Sequence, residues 1–327
     1  MRGVGRIPAC LLLLLPATAC ADLQSALSPR GPEAGSIALL SWILFAGGTA
    51  IFVLVMIAAA VALFGPVRWR AVMANERWII GGGIVFPAVT LAVLLVYGLI
   101  LMRPVPADAG GEPLRITVIG EQWWWRVIYR DGEPVESANE LRVPVDVPVE
   151  LSLETADVIH SFWVPNLGGK VDMIPGRTNR LRLTAGEAGI SRGQCAEYCG
   201  GAHALMSFFV VALPPEEYRI WRQREAQPAR PPSDEARAAG LELFLAGGCG
   251  ACHAIRGTEA RGTIGPDLTH LGSRHSLAAG TLRNDRASIA RWIAESQHVK
   301  PENLMPPYGI FTDAERDLIA TYLAGLE

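Results

Sequence analysis

The chain has 327 residues, half of them apolar, with six cysteines and a formal net charge of −3. That length is enough for two or three domains, and the apolar share is high for a protein without membrane segments. A charge so near balance leaves no basic footprint for nucleic acid and implies no strongly charged partner.

The N-terminus carries Arg2 and Arg6, runs through Leu11 to Leu15, and reaches Ala17, Thr18, Ala19 and Cys20. A basic start, a short apolar core and a small-residue site predict a secretory signal peptide over residues 1–19, which would also remove Cys10. Cleavage there would leave Cys20 first, as in lipid-modified bacterial lipoproteins, although Ala17 stands where leucine is usual.

Within residues 20–110, two apolar segments, about 37–64 and 78–102, each exceed the ~20 residues that cross a bilayer as a helix. Arg68, Arg70 and Arg77 against Glu76 alone mark the connection between them as cytoplasmic. Both termini and everything beyond about residue 103 then face the outside. Neither segment contains histidine, so no imidazole of this chain holds haem or copper inside the bilayer.

Residues 111–213 read as β-structure, with short runs at 114–119, 124–129, 141–143, 147–153, 180–183 and 207–213 rich in Val, Ile, Trp and Phe. Asp131-Gly132 and Gly168-Gly169 mark turns. Short strands at such spacing predict a sandwich or Greek-key barrel.

One stretch of this region concentrates chemistry. Cys195, Cys199, His203 and Met206 fall within twelve residues, with Gly200 and Gly201 allowing a tight turn between them. Soft thiolates, a thioether and an imidazole suit copper better than any hard cation. A disulfide between Cys195 and Cys199 is an alternative in an exported chain, and a tetrahedral zinc site is another. Met206 argues against zinc. The only other histidine before the C-terminal region is His160, which a loop after the strand ending near Thr155 would bring to the cysteines.

The pattern C-x-E-x-C-G-x-x-H-x-x-M, preceded by Asp157-Val-Ile-His160-Ser-Phe162, resembles the CuA domain of cytochrome c oxidase subunit II. Gln122-Trp-Trp-Trp125 and the run from Lys170 to Arg177 carry the same resemblance, as do the two spans that precede them. It implies a cupredoxin-like domain in which Cys195 and Cys199 bridge two coppers. His160 and His203 would be terminal ligands, completed by Met206 and the backbone carbonyl of Glu197. It further implies magnesium on the Glu197 side chain at the boundary with subunit I, and Trp123 as the residue through which electrons enter. Two positions depart from the family. Glu121 stands where many members have histidine, and Glu76 lies eleven residues before Pro87 rather than two helical turns, which weakens any role in proton uptake.

Residues 214–232 are charged and proline-bearing and predict a linker with a short helix at 216–224. Ser233, Asp234 and Glu235 open a helix to about residue 245. Cys249-Gly-Ala-Cys252-His253 is a C-x-x-C-H motif, which attaches c-type haem through two thioethers with the histidine as proximal ligand. Met305, in a proline-stiffened loop, is the leading sixth ligand, and His270, His275 and His298 are its rivals. A helix at 287–295 and a capping box from Thr312 to Glu315 complete an all-α domain over residues 233–327. Gly265-Pro266-Asp267-Leu268 and this helical order resemble small class I cytochromes c.

The expected architecture is therefore a two-helix transmembrane hairpin, an all-β cupredoxin-like Greek-key domain and an all-α cytochrome c domain. The resemblance implies a subunit II of a bacterial inner-membrane, proton-translocating cytochrome c oxidase. In it, electrons from an external cytochrome c or similar donor pass through haem c to dinuclear CuA, then to subunit I, with subunit III as a further partner. No catalytic residue for oxygen chemistry is expected in this chain. A membrane-anchored electron carrier or copper-binding protein serving another partner is the alternative, and a flexible tether that needs no tight docking is expected between the redox domains.

Overall fold

A computed structural model describes residues 23–101 and 112–327. The expected signal peptide, Cys20 and the end of the second span at Met102 lie outside the described residues.

α1 (Pro32–Phe64) is one uninterrupted helix, and α2 (Val67–Met73) follows after Pro66. α3 (Glu76–Ile80) is capped by Asn75, whose side chain accepts from the Arg77 amide. A π-turn at Gly81–Val85 joins α3 to α4 (Phe86–Leu101). Three consecutive glycines there remove the side chains that would otherwise hold regular helix, and a local widening is what such a weak point permits. Two stretches, Pro32–Phe64 and Glu76–Leu101, are long and apolar enough to cross a membrane. Large apolar side chains such as Phe52, Leu54, Leu91 and Leu95 lie exposed along them, as lipid-facing helices require. Both stretches begin before the expected 37 and 78, because the apolar count ignored the polar first turns.

The β-domain is a sandwich. One sheet has the order β3 (Val135–Ala138), β2 (Trp124–Tyr129), β1 (Leu114–Glu121), β5 (Val149–Thr155), β8 (Asn179–Leu183). The other runs β4 (Glu140–Pro144), β10 (Ser207–Leu213), β9 (Gly189–Cys195), β6 (His160–Trp163), β7 (Val171–Met173). β1 runs parallel to β5 and β4 parallel to β10. Burial alternates along β2 and β5, so one face of each enters the core. Between the sheets Trp125 packs edge-on against Phe162 at 5.9 Å, and Phe162 lies 4.6 Å from Phe208. β3, β6, β7 and β9 were not expected. They are short or mix Gly, Ser and charged residues, and tertiary pairing rather than propensity makes them strands.

The segment after the sandwich is not a loose tether. α5 (Pro215–Glu225) buries Tyr218 and Trp221 against the sandwich core. Tyr218 donates to the Asp131 carboxylate at 3.0 Å and Arg222 at 2.9 Å. Two aromatics three residues apart make one apolar stripe on a helix that composition alone marks as solvated.

In the C-terminal domain α6 (Glu235–Ala246) is capped by Asp234, α7 is Arg286–Val299, and α8 (Asp313–Ala324) begins with the Thr312–Glu315 capping box. Phe244, Ile289, Ile293, Ile319 and Leu323 form its core. α6 and α8 approach so closely at Gly240 that an added Cβ would lie 2.2 Å from the Leu318 carbonyl. A two-rung ladder of β11 (Ser276–Leu277) and β12 (Leu282–Arg283) interrupts the expected all-helical pattern.

This domain is docked on the sandwich, so the haem domain is held by contacts in addition to the tether. The Ser207 amide donates to the Ala279 carbonyl at 3.0 Å, Arg142 reaches Ser273 O at 2.9 Å, and Arg126 reaches Thr263 O at 2.9 Å. Composition could not show this, because the acceptor in each of these three bonds is a main-chain carbonyl.

Candidate metal and haem sites

The copper-type loop is the connection between β9 and β10. Cys195 closes β9, pairs with Phe162 of β6, and its amide donates to the Met206 carbonyl at 2.9 Å. The hairpin therefore returns Met206 to the cysteine from which it started. Cys195 and Cys199 are free and buried, with their Sγ atoms 3.7 Å apart, which is not a disulfide distance. Met206 Sδ lies 3.8 Å from Cys199 Sγ and His203 Nδ1 lies 3.4 Å from it. His160 is the first residue of β6 rather than part of a loop, and its Nδ1 sits 3.8 Å from Cys195 Sγ. The Glu197 carbonyl is 3.1 Å from the same sulfur. Donor atoms of His160, Cys195 and Cys199 lie within 4.8 Å of one another.

The two thiols lie in contact and shift one another's pKa in opposite directions. The Cys199 thiol beside it pulls Cys195 down to about 3, with His160 helping, while Cys199 is pushed up by the same pairing and by burial. Burial opposes a charge on His160, yet Asp157 and Cys195 together raise it to about 9. A metal with two positive charges or more replaces these protons with a better partner for the same sulfurs. Two soft thiolates, a thioether and two imidazole nitrogens close to the sulfurs fit copper.

Two residues that carried no role in the sequence reading complete the site. Asp157 Oδ1 lies 2.8 Å from His160 Nε2, so the outer ring nitrogen is held by a carboxylate and Nδ1 is turned toward the sulfurs. Its place three residues before the histidine was the available signal. Gly120 admits the imidazole, since a Cβ there would lie 2.8 Å from His160 Cδ2. Glu197 points its side chain outward, 45% exposed and 3.5 Å from Lys170 Nζ.

Trp123 is buried at 6% exposure in the two-residue turn between β1 and β2. Its Nε1 donates to the Cys199 carbonyl at 3.0 Å, and Gln122 Nε2 donates to the same oxygen at 2.8 Å. Glu121, at the position where histidine is usual in the family, pairs with Arg126 at 2.6 Å.

The haem motif lines an apolar cavity. Cys249, Cys252, His253 and Met305 all face it, while His270, His275 and His298 do not. His253 Nδ1 donates to the Pro266 carbonyl at 2.8 Å, which leaves Nε2 as the lone-pair nitrogen. Burial lowers the His253 pKa and favours the neutral ring an axial ligand needs. Gly265 packs flat on that ring, where a Cβ would come within 2.5 Å. His270 donates instead to Gln227 O at 3.0 Å, and His275 pairs with Glu140. Two free thiols and a neutral histidine around an apolar space fit a covalently held haem. The same cavity is walled on its other side by Gln122, Trp123 and Trp124 of the sandwich.

Fold and sites define a membrane-associated electron-transfer protein with two redox centres in one chain. A family model described as cytochrome c oxidase subunit II, periplasmic domain, matches residues 130–213, and one described as cytochrome c matches 237–327. Cytochrome c oxidase subunit 2 of Alkalihalophilus pseudofirmus is 35% identical over 241 residues, covering 73% of this chain and 69% of that protein. The Bacillus subtilis protein of the same description is 31% identical over 261 residues, covering 74% and 73%. Among solved structures, the periplasmic domain of subunit II of the Bradyrhizobium japonicum cytochrome oxidase is 32% identical, with a TM-score of 0.34, covering 36% of this chain and 96% of that one. The chain belongs to the cytochrome c oxidase subunit II family and carries a cytochrome c domain. It is thus part of an oxidoreductase complex, with CuA copper, haem and a subunit I partner implied by the family.

Proposed function

We propose that the chain takes electrons from an external cytochrome c or similar donor into its haem domain and passes them across Trp123 to the copper cluster, then to subunit I. One observation carries this reading: the haem cavity is walled by Trp123, and the Trp123 indole is hydrogen-bonded to the carbonyl of Cys199. Haem and copper supply, when bound, the two one-electron carriers. This chain's residues hold and align them. Cys249 and Cys252 would attach the haem, with His253 and Met305 as its further protein ligands. Cys195, Cys199, His160, His203, Met206 and the Glu197 carbonyl would hold the coppers. Asp157 fixes the His160 ring, and the strands that carry His160 and Cys195 support a donor set that would move little between oxidation states, as fast electron transfer requires.

The exposed Glu197 carboxylate supports magnesium ligation facing subunit I. The complex is read as proton-translocating, with subunit III as a further partner. The arginine-bearing connection between the spans supports a multi-pass topology in the bacterial inner membrane with both termini and both redox domains outside.

The test is the purified full chain in detergent, loaded with copper and haem. Near-infrared and EPR spectra should show a mixed-valence dicopper signal beside c-type haem bands. Haem bands without that signal after copper loading would overturn the copper assignment.

A further inference from the structure

Lysine is rarely buried without a carboxylate, yet Lys300 is only 2% exposed. It follows the last residue of α7, and its Nζ donates to the Trp123 carbonyl at 2.8 Å. Among the described residues it forms no ion pair, and burial pushes its pKa down to about 7. The acceptor is a turn carbonyl: β1 and β2 pair Glu121 with Trp124, so Gln122 and Trp123 are the two turn residues and stand outside the ladder.

The segment that carries Lys300 touches the copper loop as well. Glu302 packs against Gly201, where an added Cβ would lie 2.5 Å from its Oε2. The other end of the segment is braced to the proposed haem ligand. Asn303 Nδ2 donates to the Lys300 carbonyl at 2.6 Å and to Ser296 O at 3.0 Å. Ser296 Oγ and Gln297 Nε2 donate to the Met305 carbonyl at 2.8 and 2.9 Å. One short, internally bonded stretch thus runs from the Met305 loop to the backbone of Trp123. Other contacts between the domains, among them those at Thr263, Ser273, His275 and Ala279, hold the haem domain without touching that turn.

We infer that Lys300 is the positioning residue that registers the haem domain on the Trp123 turn, and so fixes the separation over which this chain passes electrons to its copper cluster. This rests on the function proposed above. A long side chain with a buried ammonium suits the task because it crosses the joint as a single strut. Shortening it, or removing its donor, leaves the remaining contacts in place but frees the turn from the Met305 loop.

The experiment uses the full chain loaded with haem and copper, as parent, Lys300→Met and Lys300→Arg. Haem-to-copper transfer is followed after flash reduction of the haem, and hydrogen exchange is followed at the amides around Trp123. Lys300→Met should slow transfer about tenfold or more and raise exchange at the turn, with both absorption spectra and both midpoint potentials unchanged. Lys300→Arg keeps a donor of similar reach and should recover most of the rate. A parent-like rate and exchange in Lys300→Met would overturn the assignment, as would altered haem or copper spectra, which would place Lys300 in site assembly. Absence of the dicopper signal from the parent itself would remove the underlying functional reading, a result distinct from either.

Discussion

The copper loop and the haem cavity sit in one chain but are built in opposite ways. The copper donors converge through the backbone, because Cys195 ends a strand, Met206 is tied back to it by a backbone hydrogen bond, and His160 begins the neighbouring strand. The haem ligands line an apolar space whose walls include the core residues Phe244, Ile289, Ile293 and Leu323. The first site is a geometry that a metal enters by displacing protons. The second is a core that its cofactor completes.

The largest expected effect follows from that contrast. Replacing Cys249 and Cys252 together by alanine prevents covalent attachment and leaves the cavity walls facing water. The C-terminal domain should lose about 4 kcal/mol of stability, lowering its calorimetric transition by roughly 20 °C. The dicopper spectrum should survive. Equal destabilisation of the sandwich would show that the two domains fold as one unit and would blunt the comparison.

Two smaller changes probe the preformed side. Asp157→Asn removes the carboxylate that holds the His160 ring and should weaken copper affinity about 10- to 100-fold, read by competition with a chelator, with haem bands unchanged. Unaltered affinity would mean that β6 alone orients the ring. Met206→Leu conserves volume in a side chain 1% exposed and should cost less than about 1.5 kcal/mol. Its mark is a changed copper spectrum. A shift in the haem bands instead would reassign the ligands.

The contrast also explains what could be read from sequence. Both motifs were legible because their ligands are close in the chain, from Cys195 to Met206 and from Cys249 to His253. The capping box at Thr312 and the strands at Trp124–Tyr129 and Ser207–Leu213 were legible because local pattern and burial agree. Asp157 and Gly120 were not, since their roles exist only once β1 and β6 bring them to one imidazole. The docking of the haem domain was hidden for a related reason. Nothing local marks Lys300 or Arg142, and only the fold shows that each donates to a main-chain carbonyl of the other domain.

The smallest expected effect concerns the docked interface away from Trp123. Glu140, 5% exposed, accepts from the His275 amide at 2.8 Å and faces His275 Nδ1 at 3.3 Å, with Arg142 on its own strand and the Phe209 ring from β10 beside the imidazole. The bond to Glu140 raises the His275 pKa above 6.5, although burial opposes it. Burial pushes Glu140 up, but His275 and Arg142 outweigh it and hold the carboxylate below 4.5. The histidine contribution is therefore complete below about 6.5 and fades as pH rises through the raised value. The glutamate contribution is present above 4.5 and is lost as pH falls through the depressed one. Docking should be tightest between these limits and loosen on the alkaline side. With the His275 side chain 35% exposed, the change should stay under about 1 kcal/mol. Hydrogen exchange at the Ser207 amide, which bonds to Ala279 across the joint, reports it directly. His275→Gln should flatten the alkaline limb while leaving the acidic one. A limb that persists in that variant would assign the loosening to a group other than His275, and not to the buried Lys300 amine, whose depressed pKa of about 7 makes docking firmer as pH rises.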